Sequence, residues 1–229
     1  MLRPKKKITK KEIRHDPLLE TIYNTQKLFK THQKKIWMGT GFIIAVIIIA
    51  FIGSNIKSSS ESDAANMLAK GHIFQQNGYT LDAIQQYEDL VDEYPNTTPG
   101  INALFYLGQL YFTIDSSDKG INSLKEMLEK DNDTVLKVAA LEILANFEEE
   151  QGNYESAAKL FLDASMMGKF TYSKLLNKVR AVQAFIDSGN IVDANLFLFE
   201  LKLIKDPPIK IRDQISELEG RLVVQSQSL

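Results

Sequence analysis

The residues of this 229-residue chain that could do chemistry are scattered acids, amides and three histidines. Asp115-Ser-Ser117-Asp-Lys119-Gly120, with Glu126 in the twelfth place, imitates a calcium loop. The fifth place of such a loop must offer an oxygen, and Lys119 brings a cation there instead. The segment therefore reads as a turn between helices. His15, His32 and His72 lie far apart and no HExxH-like spacing exists, which argues against a zinc centre. Glu148-Glu149-Glu150 is expected to be a solvated helix face and not an acid/base pair. There is no G-x-S-x-G, no phosphate-cradling glycine loop and no dinucleotide fingerprint. The absence of cysteine removes disulfides, thiolate metal sites, a cysteine nucleophile and a lipidated N-terminal cysteine. Asn96-Thr-Thr98 and Asn132-Asp-Thr134 are glycosylation sequons, meaningful only in a eukaryotic secretory setting. The expectation is a protein that is not an enzyme, with no cofactor, no metal, no small-molecule substrate and no nucleic acid.

The organising element is Ile36 to Ile56, 21 consecutive residues without a charge, bounded by Lys35 and Lys57. At about 1.5 Å per residue this is roughly 30 Å of helix, the thickness of a bilayer's hydrocarbon core. A soluble helix would need a polar outer face, which the run lacks. Trp37 falls near one end, where an indole keeps its N–H wet. Two other readings compete with a span. A cleaved secretory signal is disfavoured by the 35 residues before the run and by its length. The central helix of a soluble protein would need more surrounding chain.

Charge gives the span a direction. Residues 1–35 carry 11 Lys/Arg against three acids, or +8, so the remainder carries −10. Basic flanks stay in the cytoplasm, so the expected topology is a cytoplasmic N-terminus and an exported acidic domain. Residues 1–14 are expected to be disordered or to lie on anionic headgroups. Asp16-Pro17 is a plausible helix start, and Leu18, Ile22 and Phe29 predict a short amphipathic helix leading into the span. Residues 57–62 read as a hydrophilic tether.

From residue 62 onward the pattern is helical and repeats every 37 residues. Ala83, Gly120, Ala157 and Ala194 hold that spacing, as do Tyr87, Leu124, Phe161 and Leu198. Gly78, Asp115, Gly152 and Gly189 mark turns in the same register, and Gly71, Gly108, Ala145 and Val182 form a fourth set. Each period predicts two amphipathic helices joined by a tight turn. Segments such as ALFYLGQLYF and QQNGYTLDAIQQYEDLVDEYP resemble the tetratricopeptide repeat, whose usual unit is about 34 residues. The three additional residues per unit, such as Thr98-Pro99-Gly100 and Val135-Leu136-Lys137, fit an inter-repeat junction or lengthen a helix. Pro95 matches the closing position, while Asn132 and Lys169 replace it in later units.

The expected fold is all-α: one N-terminal transmembrane helix, then a helical-hairpin solenoid of about four repeats with a capping helix. The expected organisation is 1–35 basic tail, 36–56 span, 57–62 tether and 63–229 repeat domain. Its repeats fall at about 64–100, 101–137, 138–174 and 175–208, with a cap at 209–227.

The resemblance implies a concave face built from the first helix of each pair. In its register the candidate peptide-binding residues are His72, Gln75, Gln76, Asn102, Phe105, Gln109, Phe112, Asn146, Glu149 and Gln183. Leu68 and His72 stand where a clamp for C-terminal carboxylates would need Lys and Asn, so that mode is not expected. As an architecture, the chain resembles the ancillary subunit of the bacterial Sec translocon, a single-pass inner-membrane protein. That resemblance implies a periplasmic scaffold binding translocon subunits, exported polypeptides or periplasmic chaperones. Three further readings remain open: an envelope-assembly or cell-division scaffold with a fixed partner, a cytosol-facing protein like an import receptor, and an enzyme whose site has no recognisable arrangement.

Overall fold

The computed structural model describes residues 17–130 and 134–226. Among them are nine helices and no strand, so the chain is all-α. The helices are α1 (Pro17–Gln76), α2 (Thr80–Glu93), α3 (Thr98–Thr113), α4 (Ser117–Lys130) and α5 (Thr134–Glu150). They continue with α6 (Tyr154–Met167), α7 (Thr171–Asp187), α8 (Ile191–Lys202) and α9 (Ile209–Ser226). The basic head, His15, Asp16, Asn132 and the end of the cap at 227 lie outside the described residues. The chain divides into two units, Met1–Ser58 and Ser59–Leu229.

In the first unit, the stretch Gln33–Phe51 of α1 has a mean hydropathy of 1.8 and is long and apolar enough to cross a membrane. No part of that stretch is buried inside the protein, so it is not a core helix. It overlaps most of the run expected to span. Residues 57–62, expected as a tether, are helical and belong to α1. No proline or glycine occurs between Lys57 and Lys70, so nothing in the serine cluster breaks the backbone ladder.

In the second unit the helices form successive hairpins: the end of α1 with α2, α3 with α4, α5 with α6, and α7 with α8. The turns explain the spacing of the glycines. Gly78, Gly152 and Gly189 all adopt φ +78, the left-handed conformation that a Cβ disfavours. Each closes its helix with the same bonds: Gly78 N–H donates to Gln75 O at 3.1 Å, and Tyr79 N–H to Phe74 O at 2.9 Å. Asp115 occupies the equivalent turn at φ 58, with Ser116 N–H donating to Tyr111 O at 2.9 Å. Of the calcium-like segment only Asp115 and Ser116 form the interhelix turn; from Ser117 to Glu126 it is helix α4 and not a loop. Because a non-glycine left-handed residue is strained by about 1 kcal/mol, Asp115→Gly is expected to stabilise the chain by roughly 0.5–1 kcal/mol. Gly152→Ala should destabilise it by a similar amount. Thermal unfolding of the full chain in detergent, followed by circular dichroism, checks both.

The hairpins close at the small residues. Ala83, Ala157 and Ala194 are fully buried, and Gly120 is buried. A Cβ on Gly71 would lie 2.2 Å from the Tyr87 ring, and one on Gly108 would lie 2.5 Å from Leu124. The absent side chain is what lets the large residue of the second helix seat itself. Thr97 caps α3, its Oγ1 accepting from Gly100 N–H at 3.1 Å, with Pro99 in the first turn. First helices begin at Thr98, Thr134 and Thr171, ahead of the expected repeat starts at 101, 138 and 175. The additional residues of the longer unit therefore lengthen the first helix. Ile211, Ile215, Leu218 and Leu222 of α9 join the core of the last two hairpins, covering its end.

Candidate functional site

Contacts between consecutive first helices define one face. His72 of α1 meets the Tyr106 ring of α3 edge-on, with centroids 4.5 Å apart. Phe112 of α3 lies against Phe147 of α5 at 5.4 Å. Arg180 of α7 donates to Asn146 Oδ1 of α5 and sits 3.7 Å from Glu149. Arg221 of α9 pairs with Asp187 of α7 at 2.5 Å. The first helices thus lie side by side, as the expected groove requires.

At the α1 end the face is aromatic and amide-rich. Tyr87 Oη donates to Gln75 Oε1 at 3.1 Å, and with its one proton used it accepts from His72 Nδ1–H at 2.9 Å. The Tyr87 and Tyr106 rings stack at 5.6 Å. Burial, and secondarily Tyr106, raise the Tyr87 pKa, so the phenol stays protonated. Gln76 is exposed, and Gln109 is half-buried on α3.

At the α7 end the face is charged and engages itself. Asn177, 1% exposed, donates to Glu142 Oε1 at 2.7 Å. The Arg180 guanidinium lies 4.0 Å over the Phe161 ring. Desolvation raises the Glu149 pKa, Arg180 opposes that, and Asp187 adds to it. A carboxyl whose folded pKa lies above its unfolded value holds more protons folded than unfolded. Its contribution therefore favours the fold at acid pH and is lost as pH rises from the ordinary carboxylate value through the raised one. Glu149→Gln is accordingly expected to raise the melting temperature slightly at pH 7, by about 1–2 °C on the usual scale for small shifts. The gain should vanish near pH 4, and melting curves at both pH values test it.

The expected site residues divide. His72, Gln75, Asn146 and Glu149 are drawn into the cross-helix contacts above, and Gln183 is exposed. Phe112 is half-buried and packs partly into the core. Phe105 is a correction: it is 6% exposed and packs with the core of the second hairpin and α5, edge-on to Tyr106. Contact with Ala140 and Leu144 of α5 buries the Phe105 ring, which offers little surface to a ligand. Asn102 is half-buried, and its Oδ1 is buried without a hydrogen-bond partner. The residues that the expected register omitted are Asn177, Arg180 and Arg221. Arg180 stands 74 residues after Tyr106, two periods of 37, and that spacing was the available signal.

The fold and this face define an all-α protein of stacked helical hairpins with an apolar N-terminal helix. No family model matches the chain, and no curated relative matches it. Among solved structures, it is similar to the nearly identical TPR-like repeats of a putative kinesin light chain from Podosopora anserina. That likeness has 14% identity over 73% of this chain and 97% of the other, with a TM-score of 0.48. A tetratricopeptide repeat protein from Parabacteroides merdae is similar at 17% identity, 71% and 62% coverage and TM-score 0.40. MamA is similar at 19% identity, 69% and 95% coverage and TM-score 0.40.

Proposed function

We propose that this chain is a membrane-anchored scaffold whose hairpin domain stands in the periplasm and binds polypeptides near the Sec translocon. The ligands would be exported chains or periplasmic chaperones, held as extended or amphipathic segments along the first-helix face. The observation that carries this is the row His72, Gln109, Asn146 and Gln183. One hydrogen-bonding side chain recurs every 37 residues on four neighbouring first helices. Such a row can pair with the backbone of a bound peptide, whose polar groups also recur along its length. The +8 head and the apolar run support the orientation. Anchoring raises the local concentration of a weak site at the membrane, so modest affinity suffices.

The test places a photo-reactive amino acid at Gln109 or Gln183 in intact cells, with a compartment-specific reporter after Leu229. Adducts with translocon subunits, chaperones or exported chains are expected, with the reporter active outside the cytoplasm. A cytosolic reporter signal overturns the topology. Adducts confined to one envelope-assembly partner replace the translocon reading. Phe105 is the wrong position for the probe, because it is buried.

A further inference from the structure

The second helices share a register, and their outer faces can be compared position by position. On α4 the outward positions are Asp118, Asn122, Lys125 and Glu129. On α6, 37 residues later, these positions carry Glu155 and Lys159, an exposed ion pair at 2.7 Å, then Leu162, half-buried, and Met166, 70% exposed. On α8 and its C-cap the same positions carry Val192, Leu196, Phe199 and Leu203, which are 79, 52, 61 and 68% exposed. The outer face turns from polar and charged on α4, through half-charged on α6, to uncharged and apolar on α8. Beside it Val223 of α9 is 56% exposed, and between Phe199 and Val223 lies a cavity of about 250 Å³. In the interior of the stack the corresponding groove between α6 and α7 is flanked by Phe197 and Glu200 of α8.

We propose that this α8 face is the interface through which two copies of the chain associate, with the two α8 helices antiparallel about a twofold axis. Three observations select a second copy. The spacing 192, 196, 199, 203 is the alternating four-three seam by which two helices pack with side chains interleaved. The stripe is also self-complementary in one direction only. Antiparallel pairing sets Leu196 against the partner's Phe199 and Val192 against the partner's Leu203, so each layer joins a larger side chain to a smaller one. Parallel pairing would stack phenylalanine on phenylalanine and leave valine facing valine.

The charges at the rim point the same way. Asp193 is bonded to Asn190, Glu200 to Lys178, and Lys202 to Glu219. No bare charge would be buried between two copies. Three acids against two lysines, both already paired with acids, give an anionic lipid surface little to hold. The apolar patch is on the order of 500 Å² per copy, the size that marks functional patches. It would form the dry centre of a standard interface of about 800 Å² per partner. The cavity beside Phe199 gives room for an apolar side chain of the opposite copy.

The chain has no native cysteine, so engineered pairs report without background. Full-length Leu196→Cys and Phe199→Cys proteins, mixed in detergent or nanodiscs and oxidised, should form a cross-linked dimer. Val192→Cys mixed with Leu203→Cys should do the same. Val192→Cys alone should not, because antiparallel pairing holds the two copies of residue 192 eleven residues apart, roughly 16 Å along the helix axis. Lys159→Cys on α6 is the control for random collision. In light scattering, Leu196→Glu with Phe199→Glu should convert the dimer to a monomer with unchanged helix content. Monomeric wild-type protein, a dimer that persists in the glutamate variant, or cross-linking no better than the Lys159→Cys control overturns the proposal. So does Phe199-dependent binding to phosphatidylglycerol vesicles without a dimer. None of these readouts depends on the peptide face.

Discussion

Replacing Phe161 by alanine is expected to destabilise the hairpin domain by about 3–5 kcal/mol, the range for deleting a fully buried aromatic ring. Phe161 is 0% exposed and belongs to the largest core cluster, which joins the last two hairpins to α9. Its ring also supports the Arg180 guanidinium at 4.0 Å, so its loss frees the arginine that ties α7 to Asn146. The cavity could not collapse easily, because its neighbours Ala145, Ala157 and Val182 lie on helices already in contact. Phe161→Leu should cost only about 1–1.5 kcal/mol, since most of the volume is kept. Denaturant melts of the full chain in detergent measure both. An alanine cost under about 1 kcal/mol would mean that the third and fourth hairpins are not held together by this ring.

Gly71→Ala is expected to cost about 1–3 kcal/mol, as overpacking does in a closed core. The new methyl would stand 2.2 to 2.8 Å from three atoms of the Tyr87 ring. That ring cannot move aside cheaply. Its hydroxyl is bonded to His72 and Gln75, and its face stacks on Tyr106. Tyr87→Leu shortens the side chain and removes the clash, so it should cost less in the Gly71→Ala background than in the wild type. A double-mutant cycle reads the difference as a coupling energy, expected near 1 kcal/mol or above for residues in contact. Additive effects would show that the glycine is needed for some reason other than room for the ring.

These two residues also show what could be read early. Gly71 and Tyr87 each belong to a set of residues that recurs every 37 positions, but that they meet is a feature of the tertiary structure. The physical cause is repeated: in the first three hairpins a glycine or alanine on one helix stands in register with a bulky side chain on the other. Asp115 was legible as a turn for the same reason, since the position demands φ above zero and Asp tolerates it better than most residues. The candidate face was only half legible. Gln109 and Gln183 stand on first helices as expected, whereas Phe105 went into the core. Arg180 and Asn177 were missed because their partners lie on another helix, 34 and 35 residues away. Sequence spacing says which residues share a helix face, but not which side chains of neighbouring helices reach one another.

By itself, then, the chain's order of residue types determined the helices, their turns, the hairpin period and the one apolar stretch. All of these follow from interactions within a few residues or from counts along one helix. Only the tertiary structure decided which aromatic turns inward, where Arg180 finds its partners, and that the uncharged face of α8 is exposed among the described residues. Those depend on how neighbouring helices pack. Asn102, Phe105 and Gln109 are three and four residues apart and share one face of α3, and contact with α5 decides which of them is buried.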